Sequence, residues 1–124
     1  MGFSLARSGN RQYQRGYLRS AAWFRRRDRW FAEVEDRGLV AVCQVCGAPG
    51  SLDLHHVSYD GVRRDDETGT WRAGEKHEDL MPLCREHHQA VHDEFDRRRR
   101  DFWGWDRRRA TAVVVVGLRK RKRT

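Results

Sequence analysis

The chain has 124 residues, of which 38% are hydrophobic and 35% are charged, and its net charge is +8. A chain of this length is expected to form one small domain with a modest core, which favours an additional stabilising element such as a bound metal or a partner. No secretory signal and no apolar run long enough to cross a bilayer are recognised, so a cytoplasmic protein without a membrane partner is expected.

The charges are distributed unevenly along the chain. Residues 1–30 contain eight arginines and one aspartate, residues 31–96 contain six basic and fifteen acidic residues, and residues 97–124 contain twelve basic and two acidic residues. A single basic run is ordinarily a solvated surface. Two basic arms in one small chain favour a polyanionic partner, and nucleic acid is the first candidate. The arginines would bind its phosphates without recognising a base sequence.

The N-terminal third predicts a helix after a disordered start. Residues 1–11 are basic and predicted to be disordered. From about residue 12 to residue 36 the apolar side chains recur at helical spacing and predict a buried stripe of Tyr17, Ala21, Phe24, Phe31 and Val34. Ser20 can cap this helix if it begins there, and Gly38 suits its C-terminal end. The arginines among residues 25–29 are expected on its outer faces.

Short strands are predicted in the centre of the chain. The stretch LVAVCQVCG is typical of a strand that enters a turn, and SLDLHHVSY alternates as a strand does. Residues 60–78 are polar and predict a loop. DLMPLC leads into a second helix from residue 85 to about residue 102. Residues 12–103 would form the domain, and residues 104–124 a basic tail with a short strand at 112–116.

The three cysteines predict a structural metal site. Cys43 and Cys46 have the spacing of a zinc knuckle, and Cys84 is followed three residues later by His87. Structural zinc commonly takes two ligands from such a knuckle and two from a later pair. A redox dithiol is the alternative, but no thioredoxin-like βαβ pattern surrounds the cysteines. The spacing therefore favours zinc held by three thiolates and one imidazole.

Four of the five other histidines have positions that predict a second, open metal site. His88 and His92 are four residues apart on the predicted helix and share a face. Such a pair is usually only a solvated surface. His55 and His56, however, lie on a strand between the two halves of the knuckle site, where neighbouring side chains point to opposite faces. One of them is expected to face the helix as a third ligand and the other to face outward, toward a substrate.

Together these motifs resemble the HNH endonucleases, the ββα-metal nuclease family. The resemblance covers about residues 13–92 and is carried by YLRSAAW, C-x2-C, LDLHHVSY and EDLMPLC-x2-HH-x3-H. It implies an α+β fold with a small ββα-metal core, a zinc-knuckle staple and an N-terminal helix. It also implies that a divalent ion, Mg²⁺ or another such as Mn²⁺, Ni²⁺ or Zn²⁺, is held by His55, His88 and His92, and that His56 is the general base.

Two positions depart from the family pattern. Asp79 stands where the family has an asparagine whose hydrogen bonds order the loop, and an ionised aspartate accepts but cannot donate. His87 replaces the fourth cysteine of the zinc site. The first departure concerns the loop-ordering role of Asp79, and the second is a milder change of zinc ligand.

The resemblance implies a metal-dependent DNA endonuclease or nickase that hydrolyses phosphodiester bonds of double-stranded DNA, in the bacterial host cytoplasm if a phage encodes it. Two alternatives belong to other classes. One is a non-catalytic, zinc-stabilised module that binds nucleic acid, which has no use for the histidines at 55, 56, 88 and 92 together. The other is an accessory subunit of a phage packaging (terminase) or restriction machine with weak activity of its own.

Overall fold

The structure is a computed structural model that describes residues 8–123, with side chains described from residue 13 to residue 122. Within these residues, four α-helices and two small antiparallel sheets form a mixed α/β fold. The predicted combination of helices with short strands is therefore confirmed. In chain order the elements are α1 (Ser8–Leu18), α2 (Ala21–Asp36), β1 (Asp53–His56), β2 (Arg63–Arg64), β3 (Trp71–Arg72), a 3₁₀ helix (His77–Asp79), β4 (Leu80–Leu83), α3 (Arg85–Arg97) and α4 (Arg107–Arg123).

The predicted N-terminal helix is divided into two. Ser20 separates α1 from α2 and caps α2, because its hydroxyl oxygen accepts a hydrogen bond from the backbone nitrogen of Trp23 at 3.2 Å. The predicted cap is therefore confirmed. Residues 8–11, which were expected to be disordered, belong to α1. The remainder of that predicted segment lies outside the described residues.

The face that α2 buries differs from the predicted one. Phe24 is 44% exposed, although the apolar spacing placed it on the buried stripe. The buried positions are Trp23, Arg26, Trp30 and Val34. The prediction of an outer face for Arg26 is wrong: its Nε donates to the backbone carbonyl of Glu75 at 3.0 Å. A guanidinium is tolerated there because its hydrogen bonds replace water.

The sheet of β1 and β4 positions most of the predicted site residues. The two strands are antiparallel, with His55 opposite Met81 and His56 opposite Leu80. The strand predicted around LDLHH is confirmed, and the DLMPLC stretch, predicted only to approach a helix, supplies its partner. α3 follows β4 directly and is capped by Cys84, whose Sγ accepts from the backbone nitrogen of His87 at 3.5 Å.

The polar stretch over residues 60–78 contains the β2–β3 hairpin, which the sequence did not predict. Two glycines bring its ends together: a Cβ on Gly61 would lie only 2.3 Å from the carbonyl oxygen of Gly74, so no side chain fits there. The strand predicted over LVAVCQVCG does not form. Residues 39–43 are irregular, and Leu39 and Val40 are 61% and 78% exposed, because no strand within residues 8–123 pairs with them.

The strand predicted at residues 112–116 is wrong, because this segment belongs to the helix α4. Its valines favour a strand by intrinsic propensity, but packing decides the outcome. Val114 and Val115 are buried against a core cluster that includes Val91, Phe95 and Phe102. Through Ala110, Val114 and Val115, α4 therefore contributes to the core.

Two hydrophobic clusters flank the β1–β4 sheet. One joins α3, α4 and the cysteine-bearing turn, and the other joins α1 and α2 to the opposite side of the sheet through Tyr17, Trp23, Trp30 and Leu54. Among the residues that the structure describes, no helix combines the length and the apolar character that a membrane crossing requires.

Candidate metal centres

The cysteine cluster unites two distant parts of the chain. Cys43 and Cys46 lie in the turn before β1, and Cys84 and His87 lie at the start of α3. One ligand atom from each of the four residues lies within 4.8 Å of all the others, so the cluster can hold a metal ion. Three thiols and one imidazole form a donor set that is compatible with zinc.

The surroundings of Cys43 favour the thiolate that a metal requires. Burial opposes its ionisation, but hydrogen bonds from the backbone at Cys46, Cys84 and Val45 outweigh burial and lower the pKa of Cys43 to about 6. Burial raises the pKa of Cys84, and the neighbouring thiol of Cys43 adds to this effect. Adjacent thiolates repel one another, and a bound dication would offset that repulsion.

The histidine cluster forms on the other side of α3. His55 comes from β1, and His88 and His92 come from successive turns of α3. Their ligand atoms lie within 4.8 Å of one another, and the Nε2 atoms of His88 and His92 are 3.1 Å apart. The strand therefore directs His55 toward the helix, as the sequence predicts for one member of the histidine pair.

Outer hydrogen bonds fix which ring nitrogens remain for a metal. Asp53 approaches His88 with 3.1 Å between Oδ2 and Nδ1, and the hydroxyl oxygen of Thr111 lies 3.0 Å from Nε2 of His55. Nδ1 of His55 is buried without a hydrogen-bond partner in the described part of the chain. A ligating histidine usually binds a carboxylate or another acceptor through its second nitrogen. An orphaned nitrogen beside two converging Nε2 atoms therefore fits a three-imidazole metal site.

The electrostatics keep the imidazoles of His55 and His92 neutral, which is the ligating form. Burial holds the pKa of His55 well below its usual value, and the charge of Arg107 adds to the effect. Burial and the neighbouring His88 lower the pKa of His92 to about 4. Both rings are therefore unprotonated at neutral pH and can offer a lone pair to a cation.

His56 lies on the opposite face of β1, but it does not face outward. The ring is 2% exposed, it stacks on Tyr59 with 4.1 Å between centroids, and it lies 4.6 Å from the ring of Trp23. The prediction that this side chain faces outward is wrong, because the aromatic residues of α1 and α2 pack on this face of the sheet. Its Nε2 approaches Oε2 of Glu75 at 2.8 Å, and Nδ1 makes no hydrogen bond with the described residues.

Glu75 is a site residue that sequence analysis missed. Its buried Oε2 also accepts a hydrogen bond from the hydroxyl of Tyr17 at 2.7 Å. Burial opposes ionisation, but the hydrogen bonds from His56 and Tyr17 outweigh it and lower the pKa of Glu75. No sequence signal marks this residue, because it lies among polar neighbours within the stretch predicted to be a loop.

Asp79 joins the loop to the sheet without touching either metal cluster. Its backbone carbonyl accepts from the nitrogen of Val57 at 2.8 Å, and its buried carboxylate accepts from the guanidinium of Arg108. The carboxylate thus orders this region as an acceptor, which is the capacity that an aspartate has.

The basic arms are partly engaged in internal contacts. Arg119 donates to the carbonyl of Gln44 at 2.6 Å, and Arg121 donates to Glu94 at 2.9 Å. Arg97 also donates to Glu94. These arginines tie α4 and the end of α3 to the domain, so they are not simply a free polycationic tail.

Comparison with known proteins adds no relative to this picture: no family model matches the sequence, and neither the curated proteins nor the solved structures include a match.

Proposed function

We propose that this chain is a metal-dependent DNA endonuclease or nickase of the HNH type, with β1, β4 and α3 as its ββα-metal core. The observation that carries the proposal is the convergence of His55, His88 and His92, backed by Asp53. Three imidazole ligands leave coordination positions open to a substrate, whereas a closed structural site would use four protein ligands. The separate cysteine cluster offers four protein ligands and therefore fits a closed structural site, which we assign to zinc.

A divalent ion bound by the three histidines would act as a Lewis acid on a phosphodiester. The residues of the chain supply the proton chemistry. A water oxygen attacks phosphorus, and a proton of that water passes to Nδ1 of His56. The bond from phosphorus to the 3′ oxygen breaks, and the leaving 3′ oxygen takes up a proton from solvent water. Glu75 holds the other nitrogen of that ring at 2.8 Å. The products are a 5′-phosphate and a 3′-hydroxyl, as the resemblance to the family implies.

The burial of His56 is the observation that favours the alternative, a non-catalytic zinc-stabilised module that binds nucleic acid. In that interpretation His56, Glu75 and Tyr17 form a purely structural network. The module would not require the three-imidazole cluster, with its orphaned Nδ1 on His55, so the endonuclease is the better supported function. The phage packaging or restriction role is a context for the same activity.

The test is nicking of supercoiled plasmid by the zinc-loaded protein with added Mg²⁺, Mn²⁺ or Ni²⁺, and with a brief EDTA control. His88→Ala should abolish nicking at low metal concentration and recover partly in excess metal. His77→Gln is the matched control, because His77 belongs to neither cluster and instead stacks on Trp30. A wild-type protein that binds DNA but never nicks it would establish the binding module.

A further inference from the structure

Arg107 brings a positive charge from α4 to the edge of the histidine cluster. Its Nε donates to the backbone carbonyl of His56 at 2.6 Å. Its guanidinium carbon lies 5.3 Å from the ring centre of Tyr59 and 5.4 Å from that of Phe95. The Phe95 ring is in turn 5.9 Å from the ring of His55. The guanidinium therefore lies against the backbone of β1 and near the Phe95 ring, which neighbours His55.

This arginine has no acidic partner within the described residues, and neither of its terminal nitrogens makes a hydrogen bond there. Its neighbour Arg108, by contrast, is paired with Asp79. Burial lowers the pKa of the Arg107 guanidinium, since water is removed from the cation and no carboxylate replaces it. A partly buried cation in this state gains most from an anion that binds beside it.

The positive charge of Arg107 affects the protonation of the nearby histidines. It contributes to the lowered pKa of His55, His56 and His92, after burial in each case. Neutral imidazoles provide no negative charge, so a divalent ion at the cluster would add to the positive field around Arg107. The planar fork of a guanidinium fits the paired oxygens of a phosphate.

We propose that Arg107 is a phosphate-binding residue of this site, with Nε anchored on the His56 carbonyl and its terminal nitrogens on non-bridging oxygens of the phosphodiester. The assignment of a phosphodiester rests on the proposed function. As the bond to the 3′ oxygen breaks, negative charge grows on the phosphoryl oxygens, and the guanidinium stabilises that charge. Arg107 lies outside residues 13–92, so the HNH resemblance does not supply this role.

The experiment compares Arg107→Gln, Arg107→Lys and Arg107→Ala with the control Arg109→Gln. Arg109 is on the same helix, and its guanidinium stacks 3.6 Å above the ring of Trp105. Binding of inorganic phosphate to the zinc-loaded full chain is measured by calorimetry, and turnover is measured by plasmid nicking. Arg107→Gln should bind phosphate roughly ten- to hundredfold more weakly. Its maximal nicking rate should fall by about 10²–10³-fold.

Arg107→Lys keeps the charge without the fork and should recover part of both losses, while the control keeps wild-type phosphate affinity. If the wild-type protein nicks plasmid and Arg107→Gln shows the same phosphate binding and nicking rate, the inference about Arg107 is wrong. The endonuclease proposal would then still stand. If the wild-type protein never nicks plasmid but binds phosphate in a way that depends on Arg107, the anion site is supported and the endonuclease proposal is refuted. Zinc content and circular dichroism check folding; if none of the three variants folds, Arg107 is a structural residue and the inference fails.

Discussion

Glu75 and His56, nineteen residues apart, are joined by a 2.8 Å hydrogen bond between Oε2 and Nε2 inside a layer of aromatic side chains. The hydrogen bonds from His56 and Tyr17 hold the pKa of Glu75 low against the effect of burial, so the carboxylate is ionised and can only accept. Nε2 of His56 must then carry the proton, which leaves the lone pair on Nδ1. In the proposed reaction, Glu75 thus selects the nitrogen that acts as the base.

Replacing Glu75 by glutamine should slow nicking without unfolding the protein. The amide can still accept from Nε2, but it loses the charge that stabilises the protonated imidazole. We expect the maximal rate to fall roughly ten- to hundredfold. This loss is smaller than the full contribution of general-base catalysis, which is about 10²–10⁴-fold. The Michaelis constant should change little, and ¹⁵N NMR should show a mixed tautomer population for His56.

Glu78→Gln is the matched control for this variant, because Glu78 is an exposed neighbour in the 3₁₀ helix. A purely structural Glu75 would give a different pattern: lower thermal stability with an unchanged rate per folded molecule. His56→Ala should lose the full general-base contribution while it retains zinc. Wild-type nicking by His56→Ala would remove His56 from the reaction altogether.

The sequence predicts the two clusters better than it predicts their surroundings. Ligand spacing is local, so the C-x2-C pair, the i,i+4 pair of His88 and His92 and the strand position of His55 can all be recognised directly. The burial of His56 depends on Tyr17 and Trp23, which arrive from distant helices. α4 was missed because a run of β-branched residues has strand propensity, and only its packing on α3 makes it helical.

Cys84→Ser should remove the metal from the cysteine cluster and leave the chain largely unfolded. Cys84 is both a ligand and the cap of α3, and the cluster joins that helix to the turn before β1. Structural zinc contributes roughly 10 kcal/mol or more to the folding of small domains. Elemental analysis should find one zinc per wild-type chain, and Gln44→Ala, between two ligands, should retain it. Folded wild-type protein without zinc would refute the assignment.

Asp53→Asn should weaken the histidine site selectively. The carboxylate of Asp53 orients His88 and increases the basicity of its ligating nitrogen. We expect the affinity for Mn²⁺ or Ni²⁺ to fall about 10–100-fold, with the zinc of the cysteine cluster unchanged. Calorimetric titration of the zinc-loaded protein measures this directly, and excess metal should restore nicking. Asp66→Asn is the control, since the exposed Asp66 accepts from Arg64 at the β2–β3 hairpin, away from the histidine cluster; an equal loss in both variants would contradict the role of Asp53.

Removing α4 should destabilise the domain, whereas removing only its last residues should not. A chain that ends at residue 105 lacks Ala110, Val114 and Val115, which cover one side of a core cluster, and it also lacks Thr111 beside His55.

A chain that ends at residue 119 keeps all four of these residues and the contact of Arg119 with Gln44. We expect the shorter chain to aggregate or to lose cooperative thermal unfolding, because large apolar side chains such as Phe102 become exposed. The longer chain should unfold near the wild-type temperature and bind DNA with a weaker salt dependence, since each lost phosphate contact lowers that slope by about 0.9. Cooperative unfolding of the chain ending at residue 105 at the wild-type temperature would show that α4 is dispensable.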